Sequence, residues 1–460
     1  MNTLLRKNLS LVSACLAFVI VILDVSVVNV ALQQIYAQFE GSLSRLEWVV
    51  NGYTLTFASF LLTTGSLGDR FGPKRVFLVG FALFALASWL CATADSLFLL
   101  IVFRLLQGVG AALVVPASLA IVNQTFAEAD ERSRAIGLWA AAGGMALALG
   151  PVFGGALISV FGWRSIFYVN IPIAALGIAI AYVFVVEKTT LIERSIDIAG
   201  QVLTVSALGC LTYALIQINA YGLGSQQILL STAGFVVTTA LFILVERRAA
   251  APMLPLHLFA NKQFTASALI GILINFAFYG LVFLFSLYFQ YSWRYSPLQT
   301  GLAFLPMTGA IMLANLYSAK LMVRSGFRKT LLIGTGVAAV GYICIVPFLG
   351  DYSYSKMFVQ FIFAGFGIGL AVPAVTNAMV SSADSRHIGI ASGVLNASRQ
   401  IGGLIGVASM GLLLGDFGPE SFNQGIGPAL VTASLALVLC VGLVLTGFSK
   451  SQALACKATP

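Results

Sequence analysis

Two uncharged apolar runs, from Val49 to Leu67 and from Val76 to Ala94, meet at the polar stretch Gly65-Ser66-Leu67-Gly68-Asp69-Arg70-Phe71-Gly72-Pro73-Lys74-Arg75. Each run has the roughly 20 residues that a helix needs to cross a bilayer core. In hydrocarbon a backbone must satisfy its own polar groups, so such runs become helices joined by short polar turns. About fourteen of them follow one another, near 10–33, 47–67, 75–94, 97–122, 135–160, 163–186, 197–219, 226–245, 264–290, 298–321, 329–350, 354–381, 388–414 and 426–449. Only 9% of the 460 residues are charged, against about a quarter in soluble domains. The chain therefore reads as an all-α, multi-pass membrane protein with no room for a sizeable soluble domain.

The net charge of +9 is distributed by side. Nineteen Lys and Arg fall in alternate connections that include both termini, and four (Arg45, Arg164, Arg294, Lys356) in the others. The positive-inside bias then puts both termini in the cytoplasm, which needs an even number of spans. The basic balance addresses a membrane, and no nucleic-acid partner is expected. Six scattered cysteines, Cys15 to Cys456, read as packing residues. His257 and His387 fall near turns, so no metal site is expected.

The chain repeats itself. Leu67, Arg70, Gly72 and Lys74-Arg75 recur 254 positions on as Leu321, Arg324, Gly326 and Arg328-Lys329. Gly108-x-Gly110 with Pro116-Ala117 recurs as Gly365-x-Gly367 with Pro373-Ala374, and Gly137 and Gly150 as Gly393 and Gly406. Nearly constant offsets in three segments indicate a tandem duplication. Two parallel six-helix bundles, 1–186 and 263–460, would then flank an insert, 187–262, holding two unmatched helices with linkers.

The polar stretch resembles the signature loop of the major facilitator superfamily, G-x-L-(G/A)-D-R-x-G-x-K-R. Its later copy is degenerate, with Val323 in place of the acid. Asp197-Ile198-Ala199-Gly200 and the two extra helices resemble the fourteen-helix drug:proton antiporters of that superfamily. The resemblance implies a cytoplasmic gate built on Gly65, Asp69, Arg70, Gly72, Lys74, Arg75 and Arg324, with Glu128, Asp130, Glu131, Arg132 and Arg134 in a charge network. A solvated turn would need none of this, since exposed pairs contribute only about 0–1 kcal/mol.

Asp24 is the acid read as lying deep within a span. Such a group costs about 2.5–3.5 kcal/mol to insert and normally faces a polar cavity or a basic partner. Its surroundings, Leu23-Asp24-Val25-Ser26-Val27-Val28-Asn29-Val30-Ala31-Leu32, resemble the antiporters' first-helix motif, with Gln33 replacing the usual Pro. Arg104 sits at similar depth by helix rise, within a run that resembles the fourth-helix R-x-x-Q-G-x-G motif. Asp24 and Arg104 are the proton-coupling candidates; a structural ion pair is the competing reading. Gly143-Gly144 and Gly150-Pro151-x-x-Gly154-Gly155 permit close helix packing and resemble the fifth-helix motif associated with antiporters. Arg399, near the middle of its run, and Asn51, Tyr53, Gln107, Asn275, Gln290, Asn377 and Asn396 are candidates for a substrate cavity, or for interhelical hydrogen bonds.

The expected activity is proton-coupled export of small amphipathic molecules by alternating access. The proton gradient would drive it and no cofactor would be needed. The resemblance places the chain as a monomer in a bacterial cytoplasmic membrane. The alternatives are an exporter of one endogenous metabolite, an uptake symporter, or a membrane receptor or embedded enzyme. No nucleophile–base set favours the last.

Overall fold

A computed structural model describes residues 3–40, 42–187, 197–249, 252–351, 353–384, 387–415 and 419–448. Most of the linker 187–197, Arg386, and the terminal Lys450, Cys456 and Lys457 lie outside the described residues. The described residues form helices, with no strand among them. The first group is α1 (Thr3–Phe39), α2 (Leu43–Phe71), α3 (Pro73–Thr93), α4 (Leu97–Thr125), α5 (Ala129–Phe161), the short α6 (Ser165–Tyr168) and α7 (Asn170–Phe184). Next come α8 (Ile198–Tyr221) and α9 (Gln226–Arg248). The last group is α10 (Lys262–Tyr291), the short α11 (Pro297–Ala303), α12 (Leu305–Ile343), α13 (Tyr354–Ser381), α14 (Ile388–Leu414) and α15 (Pro419–Gly447).

Local chemistry sets the helix starts. Pro73 occupies the first turn of α3, where its missing N–H is no loss. Ser96, Asp197, Ser225 and Asn261 cap α4, α8, α9 and α10 by accepting from backbone N–H groups. Ser296 and Gln299 close a reciprocal capping box on α11.

Twelve segments are long and apolar enough to cross a membrane, two fewer than the fourteen runs expected. Both differences have a local cause. α2 carries Asn51, Tyr53, Thr54, Thr56, Ser59, Thr63 and Thr64 through its middle and is too polar to qualify. The runs near 298–321 and 329–350 merge into one segment, Pro297–Phe348. Within it Gly326 leaves helical geometry (φ 74°, ψ 162°).

The tandem repeat reappears as repeated close approaches. Gly72 and Gly326, 254 apart, both hold positive φ, at 89° and 74°. A Cβ on Gly108 would strike the carbonyl of Tyr53, and one on Gly365 the carbonyl of Met307. Gly110 meets the backbone N of Phe84 where Gly367 meets that of Ala338. Gly80 faces Val114 as Gly334 faces Ala371. Glycine at these positions lets backbones touch, which is how helices associate without a hydrophobic driving force.

α8 and α9 pack together on the outside, and α8 also packs on α2 and α14. At one end of α8, Gln201 bonds to α2, accepting from Thr63 Oγ1 and donating to the Ser59 carbonyl (3.1 Å). At its other end Asn219 donates to the Leu412 carbonyl of α14 (3.0 Å). The outward face of α9 exposes Leu229, Leu230, Val236, Val237 and Leu241, an apolar surface suited to lipid.

Candidate functional site

Asp24 and Arg104 meet. Asp24 is 2% exposed and Arg104 1%, and Arg104 Nη1 stands 2.5 Å from Asp24 Oδ2. The same nitrogen donates to Gln107 Oε1 (2.6 Å), while Arg104 Nε donates to the Val49 carbonyl (3.0 Å). The other carboxylate oxygen, Oδ1, accepts from Gln107 Nε2 (2.9 Å) and Asn170 Nδ2 (3.2 Å). Both amides also donate to Ser88 Oγ, and Cys91 Sγ donates to Gln107 Oε1 at 3.7 Å. The Arg104 guanidinium lies over the rings of Tyr53 (4.3 Å) and Phe167 (5.7 Å).

This cluster draws on α1, α2, α3, α4, α6 and α7. A buried pair is tolerated only when its remaining donors and acceptors are met, and here several of them are. Removing one partner strands a charge, at about 3–5 kcal/mol. Chemically, it is a carboxylate held by hydrogen bonds that weaken or reorganise when a proton arrives.

The fifth-helix glycines split between two neighbours. Cβ atoms on Gly143, Gly150 and Gly154 would overlap Phe18, Ser26 and Val27 of α1. Gly155 instead faces α11, where a Cβ would stand 2.9 Å from Leu298 Cα. The carbonyl of Pro151 is met by Gly301 of α11. Thus α5 seals against the last helix group, and Gln33 Nε2 adds a bond from α1 to the Gln290 carbonyl of α10 (3.2 Å). A cavity of about 10 Å³ lies between these groups, lined by Ser26, Asn29, Pro151, Tyr279, Met307 and Thr308 among others.

The sequence model of the Major Facilitator Superfamily matches residues 14–407. The chain belongs to the major facilitator superfamily. It is 39% identical over 405 residues to the methylenomycin A resistance protein of Bacillus subtilis, covering 88% of this chain and 87% of that one. It is 35% identical over 406 residues to the multidrug resistance protein Stp of Mycobacterium tuberculosis (88% and 75% covered). It is 31% identical over 428 residues to the tetracenomycin C resistance and export protein of Streptomyces glaucescens (91% and 79% covered). The fold resembles that of the human organic anion transporter MFSD10, with TM-score 0.65, 16% identity, and 95% and 99% of the two chains covered.

In this superfamily member the remaining candidates scatter. Asn51 is fully buried, with both amide atoms unpartnered. Asn275 and Asn377 donate to carbonyls of their own helices, Gly271 and Pro373, and Gln290 to Ser286. Arg399 forms a second polar group, donating to Thr376 Oγ1 (2.6 Å) and reaching Asn396 Oδ1 at 3.5 Å. The basic end of the signature loop reaches the end of α7. Lys74 donates to the Tyr182 carbonyl (2.8 Å), and Arg75 faces Glu187 at 3.7 Å, both at the end of α7. Glu131 pairs with Lys7 (2.6 Å). Arg70 lies against the Phe71 ring, and Asp69, Arg70 and Arg324 are exposed. A cavity of about 110 Å³ opens beside Gly65, Asp69 and Gly72.

Sequence reasoning missed Ser88, Cys91 and Asn170, since one small polar residue in an apolar run carries no partner with it. It also missed Glu47. That residue opens the run near 47–67, yet it is 2% exposed. Asp24 is therefore one of two deeply buried acids in the first helix group.

Proposed function

We propose that this chain is a proton-coupled antiporter exporting small, amphipathic, drug-like molecules by alternating access. The observation that carries it is the Asp24–Arg104–Gln107–Asn170 cluster: a titratable carboxylate, sealed from solvent, whose partners come from several helices. Proton uptake by Asp24 from outside loosens those bonds and displaces cargo; proton release inside restores them. One proton driven inward gains about 2.3 kcal/mol per 100 mV. The substrate class draws on relatives named for resistance to or export of methylenomycin A and tetracenomycin C.

The same reading takes 1–186 and 263–460 as the two rocking bundles and 187–262 as an insert. It counts fourteen spans. The Pro297–Phe348 segment, at 52 residues, would run about 78 Å as one helix, more than twice a bilayer core of about 30 Å. The break at Gly326 divides it, and α2, enclosed by other helices, crosses despite its polarity. Both termini then face the cytoplasm of a bacterial inner membrane, and the monomer is the working unit. The test is flux in proteoliposomes. An imposed proton gradient should drive uptake of a drug panel into inside-out vesicles, and Asp24→Asn should abolish the dependence on that gradient. Gradient-dependent flux that persists in a folded Asp24→Asn protein would remove Asp24 from the role.

A further inference from the structure

Glu47, near the start of α2, is a carboxyl group that the cycle above leaves unused. It makes no hydrogen bond or ion pair among the described residues, and its Oε2 is buried without a partner. One turn further on, Asn51 is buried with both amide atoms equally unmet. The Glu47 carboxyl rests on Gly411 of α14, in the opposite helix group. A Cβ built there would stand 2.9 Å from Oε2 and closer still to Oε1 and the carboxyl carbon. Further along the same seam, Leu62 of α2 lies 3.3 Å from a Cβ on Gly393. The two helices therefore run antiparallel, with Glu47 at the end of the seam that the proposed topology turns outward. Gly411 leaves the space that the carboxyl fills.

Among the described residues no charge near that seam compensates an ionised Glu47. α14 carries Arg399 as its one basic residue, twelve positions from Gly411, about 18 Å along the helix. α8 holds no Asp, Glu, Lys, Arg or His, only Cys210, Tyr213 and Tyr221 as titratable groups. On α4, Arg104 is committed to Asp24 and the Val49 carbonyl. α3 carries Cys91 at the Gln107 amide, with Lys74 and Arg75 at its far end. α1 offers Asp24, already paired, Cys15, Tyr36, and Arg6 and Lys7 at its opposite end. On α2 itself Arg45 is exposed and Tyr53 lies under Arg104. A carboxylate buried without a counter-charge is costly, and the group neutralises instead.

We propose that Glu47 is a second proton-binding carboxyl, protonated while the seam between α2 and α14 is closed and ionised when that seam opens outward. The inference rests on the alternating-access reading. On closure, one proton passes from external water to the carboxylate; on reopening it returns there, so none crosses the membrane. Acid outside thus favours the closed outer seam, the direction a proton-driven cycle needs after cargo leaves.

The experiment is infrared spectroscopy of the full chain in lipid vesicles at neutral pH, following the C=O stretch of protonated carboxyl groups on deuteration. Wild type and Asp24→Asn should both show one such band that Glu47→Gln loses. A band unchanged in Glu47→Gln, or none in wild type, overturns the proposal. Spin labels at Ser42 and Leu412 provide the second arm. Their separation should respond to external pH in wild type and stay at the closed value in Glu47→Gln; a wild-type response in the variant also overturns it. If Glu47→Gln fails to fold, Glu47→Asp replaces it, and the band should shift in frequency. Flux is followed in parallel. Loss of the band with no proton-driven flux in wild type sinks the exporter reading alone, while normal flux with an unaltered band sinks only the role of Glu47.

Discussion

Gly301→Ala adds one methyl group where α11 meets α5. That methyl would lie 2.7 Å from the Pro151 carbonyl carbon and 2.9 Å from Val152 Cα, and nearer still to the carbonyl oxygen. Ordinary contact needs about 3.4 Å or more, so the two helices must separate by at least about 0.5–0.7 Å. The obstructing atoms are backbone, and no side chain can swing aside. Overpacking of this kind costs about 1–3 kcal/mol. If the penalty falls only on the closed α5–α11 seam, it moves the closed-to-open equilibrium by roughly 5- to 150-fold. The helix itself loses nothing, since alanine favours helix over glycine by up to about 1 kcal/mol. Distance measurements between labels on the outer ends of α5 and α11 should show the open population rising by that factor. Gly144→Ala is the control, because nothing lies within 4 Å of the added carbon. A folded Gly301→Ala protein with the wild-type distance distribution would refute the reasoning.

Asp24→Asn keeps one acceptor oxygen, which can serve Arg104 or Gln107 but not both, and strands the Arg104 charge at about 3–5 kcal/mol; the folded variant should release no proton when substrate is added to unbuffered detergent solution, and release of wild-type size would contradict the coupling role. Arg104→Lys keeps the charge but cannot reach Asp24, Gln107 and the Val49 carbonyl together. Losing one charge-assisted bond there should cost about 1.5–3 kcal/mol, read as a lower thermal midpoint and at least tenfold slower exchange. Gly72→Ala forces a side chain into positive φ at 89° and against Glu187, so it should destabilise by at least about 1–2 kcal/mol in thermal unfolding, while Gly68→Ala, inside α2 with open space around it, should be neutral to stabilising by up to about 1 kcal/mol.

The duplication was legible because glycine reports its own reason for being there. Gly108 and Gly365, or Gly110 and Gly367, keep their spacing since each admits a neighbouring backbone. Asp24 and Arg104 were legible as a pair through depth alone, two costly groups at one level. What the sequence could not carry was anything set by a partner distant along the chain. Asn170 matters because α7 brings it to Asp24, 146 residues earlier. Glu47 opens its run with no partner visible nearby in the chain, and Gly411, from the other helix group, is what lies over it. The span count differs for a local reason. Where Pro73 follows Gly72 the first helix pair parts cleanly, but Phe327 follows Gly326 and keeps its N–H, so helical bonding continues through the corner.

On the alternating-access proposal, the bonds at the two ends of α8 have a mechanical outcome. Gln201 grips α2 near one end, and Asn219 grips α14 near the other. A rod pinned at opposite corners of a hinged frame acts as a diagonal brace, and the frame cannot swing without stretching it or freeing a pin. The added helices would then limit the stroke of the machine, so trimming either amide should lengthen the swing and leave the hinge intact.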